Sequence, residues 1–516
     1  MTSAWSTVRP AAAGALALLA ALVLLALPGA AGAAPRPNVL VVVTDDQAVQ
    51  TLRPDTMPTV AGQIAGRGTS FTDAIVTTPR CCPSRASMLT GEYAHNNGVF
   101  RNDYRQLREK SSTLPAWLRR AGYRTIHVGK FLNLYRKARG PEAQAAPGWD
   151  VWHTIQEPNT YYDYDLSVNG RVVHYGNSDR DHVTDVLSRR AARLARRSAA
   201  RKQPFYLQLD EWAPHVSRGR GTGQCGAGRY PQPGPPDETL YQSQPLPRPP
   251  SFNEEDLSDK PSFIQHQNPV EAGTVERDYR CALASLRTVD RGVERLYGAL
   301  RRSGELDDTI VVFTSDNGYF YGEHRLRGKV DPYEEALRVP LVMSVPPRLL
   351  GGAGEPSEVD APVANIDIAP TILELADARP CRDRRRCRTM DGRSLVPLLR
   401  GEDVEWAQDR SILVEYKGGF ENSVSCSFRG IRTAGQLYVE HTMVPNPATS
   451  QCEPRVEVEH YDLEADPFQL DNLYPADPMT GAAEREAQLA GRLATLVTCT
   501  GVAGRDRPRG TRSFCE

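Results

Sequence analysis

Lysine is scarce in this chain: seven of its 62 basic residues are lysines, so a lysine beside a chemistry-bearing motif is more informative than usual. An excess of either charge is lacking too. The 62 basic and 63 acidic residues leave a net charge of -1, which excludes the broad field of one sign that gathers nucleic acid or anionic membrane. No cysteine precedes Cys81, against a lipid-modified amino terminus of bacterial type, and no internal repeat is visible. Residues 1–37 read as an export signal, with Arg9, an uncharged apolar run from Ala11 to Leu27, Pro28, and the small-residue site Ala31-Gly32-Ala33. That run is short for a spanning helix, so an uncleaved anchor is the lesser alternative and no stable membrane partner is expected.

What is present begins with length. A chain of 516 residues buries a large core, and the boundaries expected are 38–400 for a main α/β domain and 401–516 for a smaller α+β part. Ten cysteines fit an oxidising compartment, hence a secreted protein. Setting aside Cys81 and its neighbour Cys82, low loop-closure cost favours Cys381 with Cys387, Cys426 with Cys452, and Cys499 with Cys515. Free buried thiols are the alternative.

Asn38 to Thr44 is a continuous β-branched run without polar alternation, the pattern of a central parallel strand buried on both faces. It stops at Asp45-Asp46. Thr309 to Ser315 repeats the pattern and stops at Asp316-Asn317-Gly318. Phe205 to Leu209 and Tyr123 to Val128 are further strands, ending near Pro214-His215 and at Gly129-Lys130. Helices are expected over Ser111–Arg120, Asp181–Ala200 and Val275–Ser303, the last with an apolar stripe through Leu283, Leu286, Val293, Leu296 and Leu300. Alternating strands and helices predict a doubly wound α/β core with acids at the carboxyl edge of its sheet. Ser217 to Pro261 is rich in Pro and Gly and reads equally as a loop over the site or as a surface insertion. Short strands after residue 411 and a terminal helix, Ala482 to Val497, predict a small antiparallel sheet with a helix on it.

The chemistry centres on Arg80-Cys81-Cys82-Pro83-Ser84-Arg85, running into Leu89-Thr90-Gly91. Pro83 suits the first turn of a helix, whose free N–H groups would face Cys81. Arg85 adds a permanently charged fork suited to oxyanions. The segment therefore predicts a cysteine-derived group facing a bound anion. Asp45, Asp46, Asp316 and Asn317 offer oxygen ligands only, which suit calcium or magnesium, although each pair alone reads first as a strand-ending turn. Adjacent strand residues face opposite ways, so Asp45 and Asp46 share one ion only if the chain bends there.

Cys81-x-Pro83-Ser84-Arg85 followed by Leu89-Thr90-Gly91 resembles the signature of the type I sulfatases, and the doubled cysteine is similar to their N-acetylglucosamine-6-sulfatase and extracellular heparan sulfatase branch. Asp391-Gly392-Arg393-Ser394-Leu395 and Tyr461-Asp462-Leu463 extend the likeness to about residue 475. The resemblance implies an alkaline-phosphatase-like fold, a doubly wound mixed sheet with helices on both faces. It also implies a formylglycine nucleophile made from Cys81 by a formylglycine-generating enzyme. One divalent cation, Ca2+ or Mg2+, would be held by Asp45, Asp46, Asp316, Asn317 and the group derived from Cys81. Lys130 and Lys329 match the lysines that hold sulfate oxygens, and His215 matches a histidine on the leaving-group side. His324 is a further candidate, whereas His95 and His127 read as structural. Many sulfatases follow the first lysine with Trp-His; here Phe131-Leu132-Asn133 follows, and Asn133 takes that histidine's place.

The activity implied is sulfuric ester hydrolysis on a sulfated carbohydrate or an aryl sulfate. The hydrated aldehyde would attack sulfur with one hydroxyl and expel sulfate with the other, so that one difficult step becomes two easier ones. Two competing readings are a phosphate or phosphonate ester hydrolase of the same superfamily and an inactive secreted glycan-binding protein; the intact cysteine, lysines and acids count against the second.

Overall fold

In β1 (Asn38–Thr44) every residue is buried, and its side chains alternate between two cores. Val39, Val41 and Val43 join one apolar cluster, and Leu40 and Val42 join another on the opposite face. This is how an unbroken β-branched run serves a sheet covered on both sides. The structure, a computed structural model, describes residues 1–7 and 36–516 apart from 140–143, 157–159, 221–222, 353, 355–356, 382, 384–385, 419–423, 447–448, 450, 477–480 and 508–509. Most of the expected export signal lies outside the described residues. Pro37–Glu516 forms one compact unit.

Among the described residues the main sheet has ten strands. At its centre β1 lies between β3 (Phe205–Asp210) and β4 (Thr309–Ser315), parallel to both, and β2 (Arg124–Gly129) continues the parallel set beyond β3. Antiparallel strands occupy the flanks, beside β4 at Leu341–Ser344 and beyond Val151–Ile155 at Tyr164–Val168. One face is covered by α1 (Cys81–Thr90) and the short helices Leu114–Arg120 and Ile368–Leu375; the other is covered by α2 (Val183–Ala199) and α3 (Ala272–Arg302). The expected doubly wound mixed sheet is thus present, with helices on both faces.

The carboxyl-terminal sheet is antiparallel, with β5 (Ile412–Lys417), β6 (Ser427–Arg432) and β7 (Gln436–Asn446) in order, and Glu457–Asp462 also pairing with β7. α4 (Ala482–Leu496) buries Leu489, Leu493 and Leu496 against it. The sheet reaches the cysteine motif, because Glu415 N–H donates to Thr77 O at 2.9 Å and Arg80 Nη1 donates to the Tyr416 hydroxyl at 2.6 Å. The three expected disulfides form, and Cys225 pairs with Cys281 as a fourth, while Cys81 and Cys82 are free and buried.

Candidate active site

Four strands deliver the site at one edge of the sheet. β1 ends at Asp45-Asp46, β4 at Asp316-Asn317, β2 at Lys130, and β3 carries Asp210 as its last residue. The bend that the sequence required is present: Asp46 has φ +68°, which turns its carboxylate to the side of Asp45. Ligand atoms of Asp45, Asp46, Cys81 and Asp316 lie within 4.8 Å of one another.

Cys81 opens α1, whose ten residues are all buried and whose end is set by Gly91 at φ +67°. The expected free N–H groups at this helix start are largely used. Cys82 N–H donates to Asn102 Oδ1 at 3.0 Å, and Pro83 has none. Side chains therefore supply the cationic donors. Arg85 Nε donates to Asp316 Oδ2 at 2.7 Å and Nη1 to Asp210 Oδ1 at 2.7 Å, while Nη2 has no hydrogen-bond partner among the described residues. Lys130 contacts Asp45 Oδ2, and its ammonium sits 4.9 Å from the centre of the Trp212 ring. Lys329 contacts Asp46 Oδ1 and lies 2.8 Å from Cys81 Sγ. His215 stacks on Trp212 with ring centres 4.1 Å apart, donates from Nδ1 to Val216 O at 2.8 Å, and leaves Nε2 3.6 Å from Asp46 Oδ2.

Burial disfavours the charged form of Asp45, but Lys130 and His215 outweigh it and hold the carboxyl below its ordinary range. Asp46 behaves likewise, with Lys329 the main opposing charge. Burial, reinforced by Asp45, pushes the Cys81 thiol up to about 12, so the unmodified side chain is a thiol and a poor nucleophile. Burial pulls His215 below its usual value against the pull of Asp46 and Asp45.

The donor set suits a hard divalent cation. Asn317 Nδ2 donates to Asp46 Oδ1 at 2.7 Å, whereas its buried Oδ1 has no partner among the described residues and is chemically suited to serve as an oxygen ligand. Arg85, Lys130 and Lys329 stand against Asp45, Asp46, Asp210 and Asp316, which leaves one negative charge for a cation to reverse.

The structure thus brings together Asp45, Asp46, Cys81, Arg85, Lys130, His215, Asp316, Asn317 and Lys329. His324 stands apart. Gly322 at φ +115° and His324 itself at φ +51° turn the side chain into the interior, where it stacks on Tyr333 at 4.1 Å and its Nδ1 pairs with Glu254 at 2.7 Å. None of its contacts belongs to the cysteine cluster. Asp210 and Trp212 are the residues that sequence reasoning passed over. Asp210 carried the same signal as the other acids, a buried strand ending in a carboxylate.

A cavity of about 980 Å³ opens over Cys81. Asn102, Asn133, Arg229, Arg325 and Lys329 are among its lining residues. Asn133 Oδ1 is buried there without a partner among the described residues. Arg229 comes from the Ser217–Pro261 segment, so that segment forms part of the wall.

Comparison with known proteins gives a consistent result. The Sulfatase family profile matches residues 37–378, and the N-sulphoglucosamine sulphohydrolase C-terminal profile matches residues 322–497. An extracellular sulfatase Sulf-1 homologue of Caenorhabditis elegans is 34% identical over 379 residues, covering 70% of this chain; the chain spans about half, 49%, of that relative's length. The N-acetylglucosamine-6-sulfatase of Homo sapiens is 31% identical over 542 residues, covering 95% of this chain and 90% of that protein. A solved structure of a protein in complex with its substrate D-glucosamine-2-N,6-O-disulfate superposes with a TM-score of 0.72 at 23% identity, covering 89% of this chain and 97% of that one.

Proposed function

The chain belongs to the sulfatase family of sulfuric ester hydrolases, and from that premise we propose that it releases inorganic sulfate from a sulfated sugar by way of a formylglycine made from Cys81. The observation that carries this reading is the convergence of Cys81, three cationic side chains and the strand-end acids on one buried point. The likeness to an N-acetylglucosamine-6-sulfatase favours a 6-sulfated glucosamine unit as the substrate. Export, with conversion of Cys81 by a formylglycine-generating enzyme before or during it, fits the four disulfides. Among the described residues no helix is long and apolar enough to cross a membrane. Residues 38–400 would form the catalytic part and 401–516 a supporting subdomain.

Asp45, Asp46, Asp316 and Asn317 would hold a calcium or magnesium ion, whose chemistry there is Lewis-acid polarisation of oxygen. The hydrated aldehyde at residue 81 would present two hydroxyls on one carbon, one to attack sulfur and one whose deprotonation expels sulfate. Lys130 and Lys329 would hold sulfate oxygens, and Nη2 of Arg85, without a hydrogen-bond partner among the described residues, would stabilise charge that gathers in the transition state. His215, its Nδ1–H fixed on Val216 O, would pass a proton to the leaving alcohol from Nε2 only in its doubly protonated form, which Asp46, 3.6 Å from Nε2, favours. Trp212 packs under Lys130 and His215 and keeps water from their inner faces.

Turnover of an aryl sulfate and an aryl phosphate, each with and without chelator, tests the reading. Sulfate hydrolysis should dominate, vanish with chelator and return with calcium or magnesium. Equal or greater phosphatase activity would sink it, and no turnover of a broad sulfated panel would favour a glycan binder.

A further inference from the structure

Tyr206, Gln208 and Asp210 occupy alternate positions on β3 and so share one face. They form a hydrogen-bonded line: the Tyr206 hydroxyl donates to Gln208 Oε1, Gln208 Nε2 donates to Asp210 Oδ1 at 3.1 Å, and Arg85 Nη1 donates to that same oxygen at 2.7 Å. The other oxygen of Asp210 lies 3.0 Å from His127 Nε2, off the line of a good hydrogen bond. His127 Nδ1 is in turn 2.7 Å from Thr154 Oγ1. All four residues are buried, with Tyr206 1%, Gln208 6%, Asp210 1% and His127 0% exposed. Their surroundings are aromatic, with Trp149 stacked on Tyr206 and Trp152 on His127.

A polar line through an apolar layer is costly unless its groups are paired, and this line ends on one partner, Arg85. The guanidinium charge does not require it. Asp316 already accepts from Nε, and Asp45 Oδ2 lies 3.6 Å from Nη2. What Asp210 adds is direction. A bond at Nε and a second at Nη1, from acids on different strands, fix the plane of the guanidinium and leave Nη2 as the nitrogen without a hydrogen-bond acceptor.

On the reading that the site hydrolyses sulfate esters, we propose that Asp210 is a positioning residue: held by Gln208 and, through it, Tyr206, it sets the plane of Arg85 and so the direction of Nη2, the nitrogen left to stabilise charge that gathers in the transition state. No catalytic contact of Asp210 with substrate is needed, and its signature is a fall in kcat without a matching rise in KM.

Steady-state kinetics of the metal-loaded enzyme on an aryl sulfate provide the test. For Asp210→Asn, kcat should fall about ten- to a hundredfold with KM within about twofold of wild type. In an Arg85→Lys background, where no fork remains to be oriented, the same change should cost less than about threefold. An equal loss in both backgrounds, or wild-type kcat in Asp210→Asn, would overturn the proposal. Should Asp210→Asn fail to fold, Tyr206→Phe removes only the hydroxyl at the far end of the line; it should lower kcat by about threefold or more, and unchanged kcat would count against the proposal. Absence of sulfate-ester turnover in the wild type would remove the functional reading, and this inference with it; turnover in the wild type with unaffected variants removes the inference alone.

Discussion

Asp46 holds the left-handed backbone that lets two adjacent carboxylates serve one centre, and Asn317 stands beside it with an orphaned oxygen. At the residue scale these two details carry the proposed metal site. Asn317→Ala should weaken calcium binding to the metal-stripped protein about tenfold or more, read by isothermal titration, with the fold retained. Cys81→Ala should keep the fold but lower sulfate-ester turnover by at least about a thousandfold, since no other side chain can replace a two-hydroxyl nucleophile. His95 provides a control away from the chemistry. Its Nδ1 lies 3.0 Å from Glu415 Oε1 and its Nε2 3.0 Å from Cys499 O. Burial disfavours its charge, but Glu415 dominates and raises it from 6.5 to about 9. A raised folded-state value means stability that is fully present below pH 6.5 and is lost as the pH rises through about 9. That component is of the order of 3 kcal/mol. Urea midpoints should fall across this window in wild type, and His95→Gln should flatten that part of the fall.

At the scale of elements, Gly129 and Lys130 show how closely two strand ends must approach. Gly129 has φ +116°, and a Cβ placed on it would lie 1.8 Å from Asp210 O, the atom that accepts the Lys130 N–H at 2.9 Å. Backbone meets backbone there, so no side chain can yield. Gly129→Ala should lower unfolding free energy by about 3 kcal/mol or more and abolish activity through loss of the Lys130 position, measured by urea unfolding beside turnover. The long elements were legible in the sequence because burial on both faces demands unbroken β-branched runs, as in Asn38–Thr44 and Thr309–Ser315, and because α3 carries a regular apolar stripe. The acids closing those runs were legible for the same reason. Asp210 stands in the same position, directly after the run ending at Leu209, but the resemblance that singles out the other acids does not reach it. Nor could the sequence tell that the turn at Gly322–Arg325 directs His324 inward onto Tyr333, since a loop histidine looks the same whichever way its backbone turns.

At the scale of the whole molecule, the cavity depends on parts far apart in the chain. The Cys225–Cys281 disulfide, closing a separation of 56 residues, ties the segment bearing Arg229 to α3. Replacing both cysteines by alanine should cost roughly 4 kcal/mol by loop entropy and raise KM by freeing one wall of the cavity, with kcat less affected. Thermal unfolding and steady-state kinetics of the double variant check both effects. The carboxyl-terminal sheet supports the other side, through Tyr416 on Arg80 and Glu415 on Thr77, and so helps set the start of α1. All of these parts are arranged around a cysteine whose thiol is pushed up by burial to about 12, a poor nucleophile in its unmodified form and in keeping with the proposed conversion. Trypsin cuts after Arg80 and Arg85, so the mass of the peptide Cys81–Arg85 from an active preparation reads that group directly. The account predicts a peptide lighter by the replacement of CH2SH with an aldehyde; a fully active preparation carrying an unmodified Cys81 would contradict it.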